Sequence, residues 1–387
     1  MNLSAFSLAD ALNTLKQQGL YRSRRVIDSA QGTEIMIDGK KVLNFCSNDY
    51  LGLANHPNVI AAFKQAVDNY GVGSGAAHLI CGHSTAHHAL EEELAAFTGR
   101  DRALLFSTGY MANMGVISAL LDKNDLVLED KLNHASLLDG GLLSGALFKR
   151  YLHANSENLQ AKISQSIAKK TLIVSDGVFS MDGDLAPLAE LIAVANNSQA
   201  GLMIDDAHGL GVLGKTGGGV VEHFSCSQND VPILVGTLGK AFGTAGAFVA
   251  GSEELIEILI QKSRTYIYTT AMPAAIAEAT RASLQLIIAE DWRREKLTAL
   301  VKQFRAGAAQ LGLVLMDSDT PIQPLLIGES QQAILLSQKL LELGCLVSAI
   351  RPPTVPQGKA RLRVTFSANH QASDVDFLLS ALEKIAT

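Results

Sequence analysis

Between about residue 43 and residue 285, short apolar runs alternate with stretches whose apolar positions recur at helical spacing. The runs suit strands buried on both faces and the spaced stretches suit amphipathic helices, so the alternation predicts a mostly parallel central sheet flanked by helices, an α/β fold. The predicted strands are Ala103–Phe106, Asp125–Glu129, Leu172–Asp176, Leu202–Asp205, Ile233–Val235 and Ala247–Ala250. Thr85 to Thr98 reads as a helix with Leu90, Leu94 and Phe97 on one face.

The pattern changes on either side. Residues 1–42 read as an arm: an amphipathic helix from Leu8 to Gln18, a basic patch of Arg22, Arg24 and Arg25, and a hairpin turn at Asp38-Gly39. Residues 43–285 form the large domain of this reading. Residues 286–387 form a smaller α+β domain, with a helix from Arg294 to Leu311 and strands near Ile322–Ile327 and Leu362–Phe366.

Composition narrows the class. A chain of 387 residues, 48% hydrophobic, exceeds the size at which one core usually stops growing, so two lobes are expected. The net charge of -6 comes without long runs of one sign, which argues against nucleic-acid and membrane-surface partners. Cys46, Cys81, Cys226 and Cys345 are widely spaced and suit buried, reduced thiols; no metal site is expected. The first residues lack the basic and apolar regions of a secretory leader, and no apolar stretch reaches ~18 residues, so a cytoplasmic protein without a membrane span is expected.

The candidate chemistry sits at strand ends. Gly201-Leu-Met-Ile-Asp205-Asp206-Ala-His208 ends an apolar run with an acid and an imidazole, and Val235-Gly-Thr-Leu-Gly-Lys240 follows another run. A lysine that can hold an aldehyde as a Schiff base, with a buried carboxylate to keep a pyridine nitrogen protonated, is the pair that pyridoxal phosphate chemistry requires. Asp205 and Lys240 are the candidates, at carboxyl ends of strands where ligands sit in open α/β sheets. Ser107-Thr-Gly109-Tyr110 follows a predicted strand and opens a helix over 111–121, which suits phosphate binding but also an ordinary strand-to-helix turn. His134, in Asn133-His-Ala-Ser136, could stack on a planar cofactor or be structural.

One motif points elsewhere. Gly209-Leu-Gly-Val-Leu-Gly214-Lys215-Thr216 matches the phosphate-loop pattern of nucleotide-binding proteins letter for letter. Asp-Asp-Ala-His intervenes between the strand and these glycines, however, and three more glycines follow Thr216, a poor helix start. Nucleotide chemistry is therefore the unfavoured alternative.

Ser47-Asn48-Asp49-Tyr50-Leu51-Gly52-Leu53, Asn133 to Ser136, Asp176-Gly-Val-Phe-Ser180-Met-Asp-Gly183, Asp205 to Gly209 and Gly236 to Lys240 together resemble the α-oxoamine synthases. These are fold-type I pyridoxal phosphate enzymes that join an amino acid to an acyl thioester with loss of carbon dioxide, and the resemblance runs nearly end to end. Arg351-Pro-Pro-Thr354-Val-Pro356, Gly71 to Gly75 and Tyr266 to Pro273 look most like the biotin-biosynthesis branch, which condenses L-alanine with a pimeloyl thioester. The sister branch using glycine and acetyl-CoA shares the cofactor residues and remains the closest alternative.

The resemblance implies roles position by position. Lys240 would form the Schiff base, Asp205 would pair with the pyridinium and His134 would stack on the ring. His208 and Ser180 would bond the phenolic oxygen region, with Gly109, Tyr110 and Thr237 around the phosphate. Asn48 and Arg363 would bind the amino-acid carboxylate, and Arg22 and Thr354 the acyl substrate. Tyr110 stands where phenylalanine is common, and Ala76-Ala77-His78-Leu79-Ile80 replaces further glycines, which leaves acyl-chain length open. A homodimer is implied, and the thioester carrier, coenzyme A or acyl carrier protein, stays open.

Overall fold

The computed structural model describes residues 6–386. The chain forms two compact units, Met1–Ser47 with Thr298–Thr387 and, separately, Asn48–Leu297. The first unit begins with a helix, Leu8–Gln17, followed by a hairpin of β1 (Glu34–Ile37) and β2 (Lys40–Asn44). Asp38 and Gly39 link the strands with φ of 49° and 71°. A two-residue hairpin link needs both residues left-handed to match strand twist, which explains why Asp-Gly stands there.

The second unit is built on seven strands: β3 (Arg102–Phe106), β4 (Leu126–Asp130), β5 (Leu147–Tyr151), β6 (Thr171–Asp176), β7 (Gly201–Asp205), β8 (Ile233–Thr237) and β9 (Ala247–Gly251). Their spatial order is β3-β9-β8-β7-β6-β4-β5. Six of them are the six predicted from apolar runs, with ends moved by one or two residues. The seventh, β5, carries Lys149 and Arg150 and lies at the sheet edge, half exposed, so its sequence lacks the apolar run of a central strand. β4 to β8 run parallel, whereas β9 is antiparallel to both β3 and β8.

Leu104, Val127, Val174, Met203, Val235 and Val249 from six neighbouring strands form one buried cluster with Ala112, Val116 and Leu137. The last three come from the helices Gly109–Leu120 and Ala135–Leu143, which cover that face of the sheet. The parallel register pairs Asp176 with Asp205 and Asp205 with Val235, so the carboxyl ends of β6, β7 and β8 lie side by side. This is where an open parallel sheet leaves a crevice.

Beyond β5, His153 is clamped between two carboxylates, with Nδ1 3.0 Å from Asp130 and Nε2 2.8 Å from Asp184. Burial opposes the charged ring, but the two hydrogen bonds and both negative charges outweigh it and push His153 up to about 10. A folded-state value above the unfolded one means the clamp's stabilisation is complete below about pH 6.5 and is lost as pH rises through about 10. His153→Gln is therefore expected to lower the melting temperature at pH 6, by a margin that shrinks steadily towards pH 10. Thermal unfolding across that series checks it, and a margin independent of pH contradicts the clamp.

In the first unit, β10 (Ile322–Gly328), β11 (Cys345–Leu346), β12 (Ser348–Ile350) and β13 (Ala360–Thr365) complete two small sheets. β13 lies between β10 and β12, antiparallel to both, while β11 adds in parallel to β2. The helices Ser330–Glu342 and Ala372–Ala386 pack against each other in this unit. Among the described residues, no helix is long and apolar enough to cross a membrane.

Candidate active site

A cavity of about 190 Å³ opens over the carboxyl ends of β6, β7 and β8. The segment after β3 contributes Gly109 and Tyr110 to its wall, and His134 comes from the turn after β4. Ser180 follows β6, Asp205 and His208 end and follow β7, and Thr237 and Lys240 end and follow β8. Eight of the twelve residues singled out in the sequence thus face one space.

The structure also separates the two consecutive aspartates. Asp205 lines the cavity, and its carboxylate accepts from the Ala207 backbone N–H at 3.0 Å and the Asn113 amide at 2.6 Å. Asp206 points away into a fully buried site, where it accepts from the Val220 backbone N–H at 2.8 Å. Desolvation holds the Asp206 carboxyl well above its ordinary range, so it is suited to the neutral form rather than to supplying charge. A Cβ at Gly209 or Gly219 would collide with its oxygens, which accounts for glycine at both positions.

Lys240 Nζ lies 2.9 Å from His208 Nε2, and His208 Nδ1 lies 2.6 Å from the buried Tyr50 hydroxyl. The Tyr50 hydroxyl in turn donates to Asn48 Oδ1 at 3.4 Å. If Nε2 accepts from the lysine, a neutral imidazole carries its proton on Nδ1 and donates to Tyr50, so every bond in the chain keeps one direction. Asn48, predicted to bind substrate, is therefore joined to Lys240 through two side chains.

A second network supports Asp205. The Asn113 amide nitrogen also donates to Ser136 Oγ at 2.8 Å, and Ser136 Oγ lies 2.7 Å from His134 Nδ1. The His134 backbone N–H donates to Asp176 at 2.7 Å, which fixes the start of the helix Ala135–Leu143 beside the cavity. Burial and the Lys240 charge hold the His134 imidazole below its ordinary range, with Asp205 opposing. Asp176 is raised well above the usual carboxylate range, first by burial and then by the Asp205 charge.

The helix Gly109–Leu120 is capped by Thr108, whose hydroxyl oxygen accepts from the Met111 backbone N–H at 3.1 Å. Its first turn therefore faces the cavity with a positive dipole end, the arrangement that favours a phosphate. The Tyr110 hydroxyl is hydrogen-bonded to Asp139, which raises its pKa.

The phosphate-loop string behaves differently. Thr216 donates through its backbone N–H and its hydroxyl to the Glu222 carboxylate, at 2.9 and 3.0 Å, and the Gly218 N–H donates to it at 2.8 Å. A carboxylate already collects the donors a nucleotide phosphate would need. The next helix opens only at Gly219 and ends at His223.

The remaining candidates belong to the other unit. Arg22 and Thr354 are exposed, and Arg363 is buried in β13. Arg22 and Thr354 lie on adjoining segments: the Arg351 guanidinium donates to the Tyr21 carbonyl at 2.9 Å, and the Thr354 N–H donates to the Arg351 carbonyl at 3.1 Å. Tyr50, Asn113, Ser136 and Asp176 escaped selection from the sequence as site residues. Tyr50 carried a usable signal, an aromatic directly after Asn48-Asp49 in a short polar turn; Asn113 sits inside an apolar helix with nothing to mark it.

Residues 40–382 match the family model of class I and II aminotransferases, and the chain belongs to that family. Within it the chain belongs to the 8-amino-7-oxononanoate synthases. The 8-amino-7-oxononanoate synthase of Thioalkalivibrio sulfidiphilus (strain HL-EbGR7) is 63% identical over 378 residues, covering 97% of this chain and 96% of the relative. The crystal structure of 8-amino-7-oxononanoate synthase from Francisella tularensis superposes with a TM-score of 0.78 at 34% identity, covering 89% of this chain and 97% of that one. A serine palmitoyltransferase variant from S. paucimobilis with bound PLP and myriocin gives a TM-score of 0.94 at 30% identity, covering 100% of this chain and 98% of that one.

The chain is accordingly a pyridoxal phosphate enzyme of fold type I. The cavity fits that cofactor by its own chemistry: an amine for the aldehyde, a carboxylate held in place by two donors, and a capped helix start for the phosphate. A Cβ on Gly109 would project into the space facing Thr237, 4.0 Å from its hydroxyl, and so narrow the phosphate end.

Proposed function

We propose that the chain condenses L-alanine with a pimeloyl thioester, carried on coenzyme A or acyl carrier protein, to give 8-amino-7-oxononanoate, carbon dioxide and the free thiol. The observation that carries this is the meeting of Lys240, Asp205 and a capped helix start in one cavity, in a chain 63% identical to a synthase of that name. The bound cofactor supplies an electron sink for charge developing at the alanine α-carbon.

The chain's own residues do the rest. Lys240 Nζ would hold the cofactor aldehyde, and the same amine is the base placed to take the α-proton. His208, bonded to Nζ at 2.9 Å, orients that amine, and Tyr50 fixes the histidine tautomer from the other side at 2.6 Å. Asp205 keeps the pyridine nitrogen protonated, and the Asn113 bond at 2.6 Å holds the carboxylate in place. His134 would stack on the ring, and Ser180, Gly109, Tyr110 and Thr237, which line the same cavity, would hold its polar substituents. By resemblance, Asn48 and Arg363 would bind the amino-acid carboxylate, Arg22 and Thr354 the acyl substrate, and the enzyme would act as a homodimer.

Mass spectrometry of products from L-alanine with pimeloyl-CoA, run beside glycine with acetyl-CoA, tests the assignment. Product from alanine alone is expected. Product only from glycine and acetyl-CoA keeps the cofactor chemistry but moves the chain to the sister branch.

Tyr50→Phe removes the acceptor from His208 Nδ1 while preserving the ring. A lost partner for a buried donor costs about 1–3 kcal/mol, so kcat is expected to fall about tenfold with cofactor binding retained. The pH profile of kcat should shift as well, because the favoured histidine tautomer is no longer fixed. An unchanged profile removes Tyr50 from the machinery.

A further inference from the structure

A second cluster of chemistry-bearing side chains lies in the large unit and shares no residue with the active-site wall. His83 immediately precedes Ser84, which caps the helix Thr85–Thr98, and His88 and Glu91 stand on that helix. A separation of three residues places His88 and Glu91 on one helical face. The start of the helix is fixed by a reciprocal cap, in which His87 Nδ1 meets the Ser84 backbone N–H at 3.1 Å and its hydroxyl at 2.9 Å.

We propose that His83, His88 and Glu91 form a binding site for a divalent first-row metal ion of the zinc class. One ligand atom from each lies within 4.8 Å of the other two. Ligand atoms around a tetrahedral zinc are about 3.3 Å apart, so side-chain rotation on a fixed backbone closes the remaining gap. Three protein ligands leave the fourth position to water, and His88, with 67% of its side chain exposed, gives the ion a route from solvent.

Two of the three ligands are already supported from behind. Glu91 Oε1 accepts from the Leu105 backbone N–H at 2.9 Å, which leaves Oε2 towards His83, 3.9 Å from its Nε2. His83 Nδ1 lies 3.0 Å from His78 Nδ1, the outer contact that orients a metal-bound imidazole while Nε2 faces the ion. His87 takes no ligand role, because its Nε2 is engaged by the Met272 carbonyl at 2.7 Å.

The test is calorimetric titration of zinc into chelator-stripped holoenzyme, comparing wild type with His88→Ala, His83→Gln and His223→Ala. Wild type and His223→Ala are expected to take one zinc per chain, and both cluster variants to bind at least about tenfold more weakly, the lower bound for losing even an outer partner of a metal site. His88→Ala alters an exposed side chain, so a lost fold does not confuse the reading. X-ray absorption at the zinc edge should show nitrogen and oxygen ligands at about 2.0–2.2 Å and no sulfur. Absence of binding, equal affinity in His88→Ala, or a sulfur ligand from the nearby exposed Cys81 would overturn the assignment.

Discussion

Replacing Lys240 with alanine is expected to abolish the visible absorption of the cofactor-bound enzyme and to lower turnover by more than about 10⁴-fold, the upper end of what a general base alone contributes. The loss should exceed that of a single base because one nitrogen serves twice, as covalent anchor and as proton acceptor. The surrounding chain survives the change: His208 keeps its Tyr50 contact at 2.6 Å, so the cavity wall should stay ordered. Absorption spectra and single-turnover kinetics on the purified variant check both parts. Activity at the wild-type level would remove Lys240 from the reaction altogether.

Asp205→Asn should separate binding from chemistry. The amide keeps one oxygen, enough for either the Asn113 amide or the Ala207 N–H, which now bond separate carboxylate oxygens at 2.6 and 3.0 Å; one buried bond is lost, while the covalent anchoring through Lys240 is expected to persist. Also lost is the negative charge that keeps the pyridine nitrogen protonated. Removing one preorganised electrostatic partner costs about 10²–10³-fold in rate, and α-proton exchange into deuterated solvent should fall by that amount. Exchange at the wild-type rate would show that the electron sink works without this carboxylate, and Asp205 would then be a scaffold residue like Asp206.

That contrast shows what the sequence could and could not yield. Asp205 and Asp206 are adjacent and chemically identical, and the strand-end position marks both. Asp205 closes β7 and lines the cavity, whereas Asp206, the first residue beyond the strand, turns its carboxylate towards Gly209 and Gly219, and only the folded chain assigns them these different environments. Six strands were legible because their burial demands unbroken apolar runs, which holds even for β3 at one edge; β5, at the other edge, is half exposed and therefore free to carry Lys149 and Arg150. The reversed direction of β9 also left no trace, since an apolar run reads alike in either direction.

The site divides along the same line. Lysine, aspartate and histidine at strand ends stand out against apolar neighbours, which is why eight candidates fall around one cavity. The residues behind them do not stand out. Asn113 reaches Asp205 across 92 positions of sequence and Tyr50 reaches His208 across 158, distances at which no local pattern operates. The phosphate-loop string failed for a related reason: its letters are local, but the Glu222 carboxylate that collects its donors comes from the following helix.

The three-stranded sheet of the smaller unit carries a consequence for how the chain is made. Its hairpin, β1 and β2, is translated well before its third strand, Cys345–Leu346, and the Cys46 thiol meets the Leu346 carbonyl across 300 positions. During synthesis the hairpin must wait, with one edge open, while the whole seven-stranded unit is produced and can fold. At about 5–20 residues per second that interval lasts tens of seconds, long enough for an unpaired strand edge to find a wrong partner. The hairpin is therefore the part most exposed to misassembly, and a shortened chain ending before Cys345 should leave the ribosome with a finished large unit and an aggregation-prone hairpin.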